Sequence, residues 1–248
     1  MQTDQPYKRS YVLQGEYNAG KSTFLKLLQD FIGIDNITHV SLQGIAENRF
    51  STGKLENKVL NIFDDLSDKA LTNTGTFKNL TGSTHHDIEK KNIQAYDGRI
   101  FCAHVFSCNR PPQVPEDALY DPAFWERWCY VKFPYYFPLD PAFEEKLLTK
   151  ENLSALLNIV LDRIVEIRKA RTLTVNHSFG EVRARWIAEA DPLAQFINEK
   201  FDKMTPPGKN EFDRNRFFEE LSGKVQHFVP QKKLIKWVPS NGQLRFSK

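Results

Sequence analysis

The stretch Gly15-Glu16-Tyr17-Asn18-Ala19-Gly20-Lys21-Ser22-Thr23 decides how this chain is read. It has a glycine, four intervening residues, then Gly-Lys-Ser, which is the phosphate-loop pattern. An apolar run, SYVLQ (10–14), comes before it, and an apolar-periodic run, FLKLLQDFIG (24–33), comes after it. The first reads as a buried strand. The second reads as a helix over 21–32, with Phe24, Leu25, Leu27, Leu28, Phe31 and Ile32 apolar and Gly33 as its C-cap. A glycine at position 20 lets successive N–H groups turn into one concavity, where the helix N-terminus adds positive potential. Such a cradle suits triphosphate oxygens. Lys21 then reaches the β- and γ-phosphates, Ser22 ligates Mg²⁺, and Thr23 hydrogen-bonds phosphate.

Working outward, the next chemistry-bearing stretch is VLNIFDD (59–65). A short apolar run suits a central strand of a parallel sheet, covered on both faces. It ends in Asp64 and Asp65, about 40 residues after the loop by count of the sequence. Adjacent carboxylates there can divide labour: Asp64 holds the metal and Asp65 polarises an attacking water. The ordinary alternative is a pair of turn-capping aspartates.

IFCAHVFSC (100–108) reads as a third core strand, and Asn109 follows it. An amide emerging there can orient water, or it can merely open the turn before Arg110-Pro111-Pro112. Cys102, His104 and Cys108 share one face of this strand; core packing is expected over zinc, whose ligands come from turns at tight spacing. Arg127, in FWERWCYVKF, sits at a helix–strand junction. It either pairs locally with Glu126 or a ring, or acts as an arginine finger on a neighbour's site. Between these motifs, residues 68–80 read as partly helical. Residues 85–101 read as a β-hairpin on the strength of their Asp-Gly pair. Residues 142–171 carry long helical patterns.

Three cysteines and no apolar run near membrane-spanning length fit a reducing compartment. The N-terminus lacks a signal-peptide core. A soluble, intracellular protein without membrane partners is expected, in the host cytoplasm if the chain is viral. Net charge is only +3, but from Lys224 onward six basic residues stand with no acidic ones. They form either a solvated tail or a surface facing a polyanion.

Taken together, four stretches resemble the superfamily 3 helicases, in particular the C-terminal motor part of phage, plasmid and viral primase-helicases. They are GEYNAGKSTFLKLL, RFSTGKLENKVLNIFDDLSD, FKNLTGSTHHDIEKKN and HVFSCNRPPQVPEDALYDPAFWERWCYVKFP, which cover roughly residues 10 to 140. The resemblance implies an α/β fold: an AAA+ type ATPase core with a central parallel sheet and a projecting β-hairpin, over 1–178. A small winged-helix-like domain over 179–248 would follow.

The implied roles are ATP binding by Gly15 through Thr23 (Gly15, Glu16, Tyr17, Asn18, Ala19, Gly20, Lys21, Ser22 and Thr23) and a metal shell from Ser22 and Asp64. Asp65 becomes the base, where many relatives have Glu. Asn109 becomes the sensor asparagine. Arg127 becomes the trans-acting arginine, with Glu126 where another Arg is common. The hairpin offers Lys90, Lys91 and Arg99 to nucleic-acid phosphates.

The implied activity is ATP-driven movement on single-stranded DNA by a homo-oligomeric, hexameric ring, with primase and other replication proteins as partners. Two rivals stand beside it. One is an ATP-binding loading module that does not unwind; the other is a small-molecule kinase, for which no acceptor pocket or lid arginine cluster is legible. Relatives usually carry a collar, and often a primase, before the motor. Only 14 residues precede Gly15, so the chain reads as either a fragment or a reduced motor.

Overall fold

The computed structural model describes residues 7–83, 85–173 and 177–191. Five parallel strands form the centre: β1 (Ser10–Gln14), β2 (Ile37–Thr38), β3 (Leu60–Phe63), β6 (Ala103–Cys108) and β7 (Trp128–Lys132), in the order β2-β3-β6-β1-β7. Parallel strands need crossovers, so both faces become covered and the strands become apolar throughout. VLNIF and AHVFSC show this continuous pattern.

One face packs α1 (Lys21–Ile32) through Leu25, Leu28 and Ile32 against Leu13, Ile62 and Val105. The other face is larger and aromatic. It gathers α2 (Leu42–Glu47), α3 (Ser51–Leu55) and α4 (Gly75–Gly82) beneath the strands. Two short helices, α5 (Glu116–Leu119) and α6 (Pro122–Trp125), add Ala118, Phe124 and Trp125. Phe77 stacks on Trp128 at 4.6 Å and 12°. Full burial of a ring of this size contributes roughly 1.5–3 kcal/mol, so this cluster dominates the apolar stabilisation of that face.

After β7 the chain continues into α7 (Phe143–Leu147) and α8 (Lys150–Ala170). α9 (Phe179–Ala190) begins with a capping box built by Ser178 and Glu181. Its Val182 and Trp186 are fully buried in the aromatic cluster. The first compact unit accordingly runs Met1–Pro192 and the second Leu193–Lys248. The composition change near 176–179 precedes a helix that belongs to the first unit's core. The winged-helix expectation and the basic C-terminal run lie, past α9, outside the described residues. Among the described residues, no helix is long and apolar enough to cross a membrane.

The expected hairpin exists as β4 (His85–Lys90) and β5 (Ile93–Arg99). Its turn is not where the Asp-Gly pair put it. Asp97 and Gly98 pair with Asp87 and His86 inside the ribbon, and the chain reverses at Lys91-Asn92. Asn92 supplies the left-handed conformation, φ 63°, which asparagine tolerates better than most residues. Residues 68–80 are helical in part, as expected: α4 takes up their second half and runs on to Gly82.

Candidate functional site

Three adjacent strands, β3, β6 and β1, release their carboxyl ends side by side. The Asp64-Asp65 turn leaves β3, Asn109 leaves β6, and the Gly15–Thr23 loop leaves β1. Crevices outside the carboxyl ends of such strands are where open α/β sheets bind ligands.

The loop needs both its glycines. A Cβ on Gly15 would lie 2.4 Å from the carbonyl oxygen of Phe133, so only glycine permits the approach. Gly20 caps α1 at φ 88°, in the left-handed region. No side chain caps this helix, and its first turn holds no carboxylate. The first amides of a helix have no intrahelical acceptor, and here they surround an exposed Ser22 and a half-buried Thr23. The donor set therefore suits a phosphate oxyanion.

Lys21 lies across this loop, 8% exposed. Its Nζ donates to the carbonyls of Gly15 (2.6 Å) and Glu16 (2.8 Å) and to Asn109 Oδ1 (2.9 Å). Burial pulls its pKa down, and Asp64, Cys108, Asp65 and Glu16 push it back up. The net result is a pKa below the usual lysine value, in a pocket whose fixed partners are two backbone carbonyls and one side-chain amide oxygen.

Asn109 is itself held: its carbonyl accepts from Gln14 Nε2 at 2.9 Å. Asp64 Oδ1 accepts the Ser107 hydroxyl and the Asp65 N–H. Asp64 and Ser22 are both exposed enough to meet a divalent ion, and hydroxyl plus carboxylate oxygens suit Mg²⁺. Asp65 and Asn109 help wall an open polar hollow of about 490 Å³.

A second, apolar hollow of about 710 Å³ adjoins the loop. Its far wall is the segment after β7, residues 133–141, which straps over the glycine loop. Phe133 N–H donates to Gln14 O at 2.7 Å, and Phe137 N–H donates to Asn18 O at 2.9 Å. The Tyr136 ring meets Tyr17 edge-on at 5.8 Å. Phe137 and Leu139 face Gly20, Thr23 and Phe24 across the hollow.

Arg127 is not brought to this crevice. Its carbonyl accepts the N–H of Ser10 at 2.7 Å, which fixes it at the amino end of β1. The crevice lies at the other end, roughly 16 Å away by strand length. Its guanidinium donates to the carbonyls of Lys78 (3.2 Å) and Ala123. Of the hairpin residues, Lys90 is engaged: its Nζ pairs with Glu56 at 2.5 Å, and Tyr96 donates to the same carboxylate. Lys91 is exposed in the turn, and Arg99 is exposed opposite His85 at the ribbon's base.

Sequence reasoning missed three participants. Ser107 and Gln14 are buried polar residues near the carboxyl ends of largely apolar strands, which is the signal that marks them. The third is Glu189 on α9, whose Oε1 pairs with Lys132 at 2.8 Å and whose Oε2 lies 3.5 Å from Gln14 Nε2. It carried no local signal, because only the packing of α9 brings it to the sheet. Cys102 and Cys108 are buried thiols, and burial raises both to about 12.

Comparison with known proteins follows this geometry. A family model described as a family of unknown function (DUF5906) matches residues 13–123. A Sputnik virophage protein that carries a provisional helicase name is 23% identical over 269 residues. That alignment takes in 96% of this chain but 31% of the virophage protein, so the chain spans about a third of its relative's length. The chain is thus a distant relative of that protein. Among solved structures, the A-form apo C-terminal region of NrS-1 aligns at TM-score 0.50 and 14% identity, over 92% of this chain and 52% of that one. The two share a fold with a central parallel sheet. The JCV helicase bound to a thiazolopyridine acetamide aligns at TM-score 0.39 and 15% identity, over 77% and 52%.

Proposed function

We propose that the chain is the ATPase motor of a superfamily 3, AAA+ type helicase from a viral, phage or plasmid replication protein. It moves on single-stranded DNA as a hexameric ring. One observation carries the reading: Lys21, Asn109 and the Asp64-Asp65 pair converge where three parallel strands end, beside a helix N-terminus with no cap of its own. The distant virophage relative, named as a helicase, supports it.

In this reading the loop amides from Gly15 to Thr23 hold the phosphates, and Lys21 turns from its carbonyl partners to the β- and γ-oxygens. The hollow between α1 and residues 137–139 receives the nucleoside. Ser22 and Asp64 would hold Mg²⁺, which would supply Lewis-acid polarisation of the phosphoryl oxygens. Asp65 accepts a proton from the attacking water, and the Asn109 amide orients that water. Arg127, remote from its own crevice, serves the crevice of the next subunit, where such a residue contributes about 10³–10⁵ in rate. Lys91 at the hairpin turn, with Lys90 and Arg99 behind it, contacts the DNA backbone. Contacts of that kind do not depend on sequence. Partners are single-stranded DNA, further copies of this chain, and primase with other replication proteins; the setting is the cytoplasm.

The test is ATP turnover with and without single-stranded DNA. Wild-type protein should hydrolyse ATP and turn over faster with DNA, and Lys21→Ala should lose about 100-fold or more. Undiminished turnover in Lys21→Ala would sink the assignment. Duplex unwinding by an active protein separates the motor from a loading module: a loading module hydrolyses ATP but displaces no strand.

A further inference from the structure

Ser107 lies on β6, fully buried, two residues before Asn109. Its Oγ donates to Asp64 Oδ1 and accepts the Asp65 N–H at 3.0 Å. Its carbonyl accepts the Leu66 N–H at 2.8 Å. The Asp65 N–H is shared with Asp64 Oδ1, also at 3.0 Å. One serine therefore grips three consecutive residues of the turn that leaves β3.

The grip has a visible consequence. Asp65 adopts φ 56°, in the left-handed region that most side chains avoid and aspartate visits occasionally. The turn does not choose this conformation for its own sake; an extended or right-handed Asp65 is intrinsically easier for the backbone. With its own N–H and the Leu66 N–H both bonded to Ser107, Asp65 is held in this left-handed state. It turns the Asp65 carboxyl toward the hollow that Asn109 also borders. Because Ser107 and Asn109 sit on one strand end, the same rod that carries the amide also sets the carboxylate. A buried hydroxyl that served only the core would have no reason to bind a carboxylate at the mouth of a crevice.

We propose that Ser107 is a positioning residue: its hydroxyl fixes Asp64 and Asp65 relative to Asn109, so that the carboxylates and the amide keep a set spacing. The inference rests on the ATPase reading above and deepens it. Groups that orient catalytic carboxylates and metal ligands typically affect rate or metal affinity by 10- to 100-fold.

Three variants test it alongside wild type. Ser107→Ala removes the hydroxyl, Ser107→Cys keeps the volume with a weak donor, and Ser107→Thr keeps the oxygen. The expected result is a kcat lower by roughly 10- to 100-fold in Ala and Cys, with KM for ATP within about threefold and a raised half-saturating Mg²⁺ concentration. Thr recovers most of the rate. Amide exchange at Asp65 speeds up in Ala and Cys, while exchange at Leu66, whose N–H bonds to the residue-107 carbonyl that every variant keeps, and the melting temperature move little. If Ala does not fold, Cys carries the test. A wild-type kcat in both Ala and Cys overturns the proposal, whatever the exchange shows. So does a loss of rate that Thr fails to recover. Wild-type protein without ATP turnover removes the ATPase reading and this one together; an active wild type with indifferent Ser107 variants removes this one alone.

Discussion

At the residue scale, charge is kept where backbone dipoles can hold it. Lys21 needs no carboxylate within ion-pair distance, because two loop carbonyls and one amide oxygen take its three protons. Phosphate can then replace weak dipolar partners rather than break a strong ion pair. His104 shows the opposite arrangement. It is fully buried, stacked on Phe106 at 5°, with Nδ1 3.4 Å from Asn61 Nδ2. Burial disfavours its charged form and lowers its pKa from 6.5 to about 4. The unfolded chain therefore binds this proton more readily than the native state. Stability from this group is complete above pH 6.5 and is lost as pH falls toward 4, on the order of 2–3 kcal/mol. Urea midpoints measured from pH 7 to pH 4 should fall, and His104→Phe should flatten the fall. An equal slope in the variant would assign the loss to other groups.

At the element scale, β6 is the organising strand. Its register against β1 and β3 carries His104 into the core, Ser107 to the acidic turn and Asn109 to Lys21. Much of this was legible. The continuous apolar runs predicted the strands, and the glycine spacing predicted the strand–loop–helix unit. What was not legible depended on tertiary contact. The hairpin reverses at Lys91-Asn92, where Asn92 takes the left-handed conformation, and the ribbon sets buried Ile88 opposite Tyr96, which leaves Asp97-Gly98 within it. α9 reads as amphipathic in either domain, and its tertiary contacts assign it: Val182 and Trp186 are buried in the aromatic cluster, with Trp186 Nε1 donating to Pro112 O at 2.7 Å. The strap over the glycine loop follows β7, where prolines and exposed tyrosines look like any loop. The hairpin lysines separate at this scale too. Lys90 is tied to Glu56 and Lys91 is exposed at the turn. Lys91→Ala should weaken single-stranded DNA binding and reduce the salt slope by about 0.7, whereas Lys90→Ala should do less. Fluorescence anisotropy across a salt series reads both; an unchanged slope in Lys91→Ala would remove it from the DNA interface.

At the scale of the whole molecule, the two ends of the sheet have different work. The crevice collects at the carboxyl ends, and Arg127 stands at the amino end, too far to serve its own subunit. In the proposed ring, the amino end of one sheet would meet the crevice of the next subunit. Arg127→Ala and Asp65→Asn should each be nearly inactive alone. Mixed, they should regain a fraction of the wild-type ATPase rate, because some interfaces pair an intact crevice with an intact arginine. No recovery in proven mixed assemblies would return Arg127 to a local role, holding the Lys78 and Ala123 carbonyls.

Native mass measurement, with a non-hydrolysable ATP analogue and a single-stranded oligonucleotide present, tests the central claim most directly. The account predicts assemblies of several copies that hold nucleotide and share one strand, and a Lys21→Ala chain that fails to retain the nucleotide. A folded monomer that carries neither nucleotide nor oligonucleotide at low salt would contradict it.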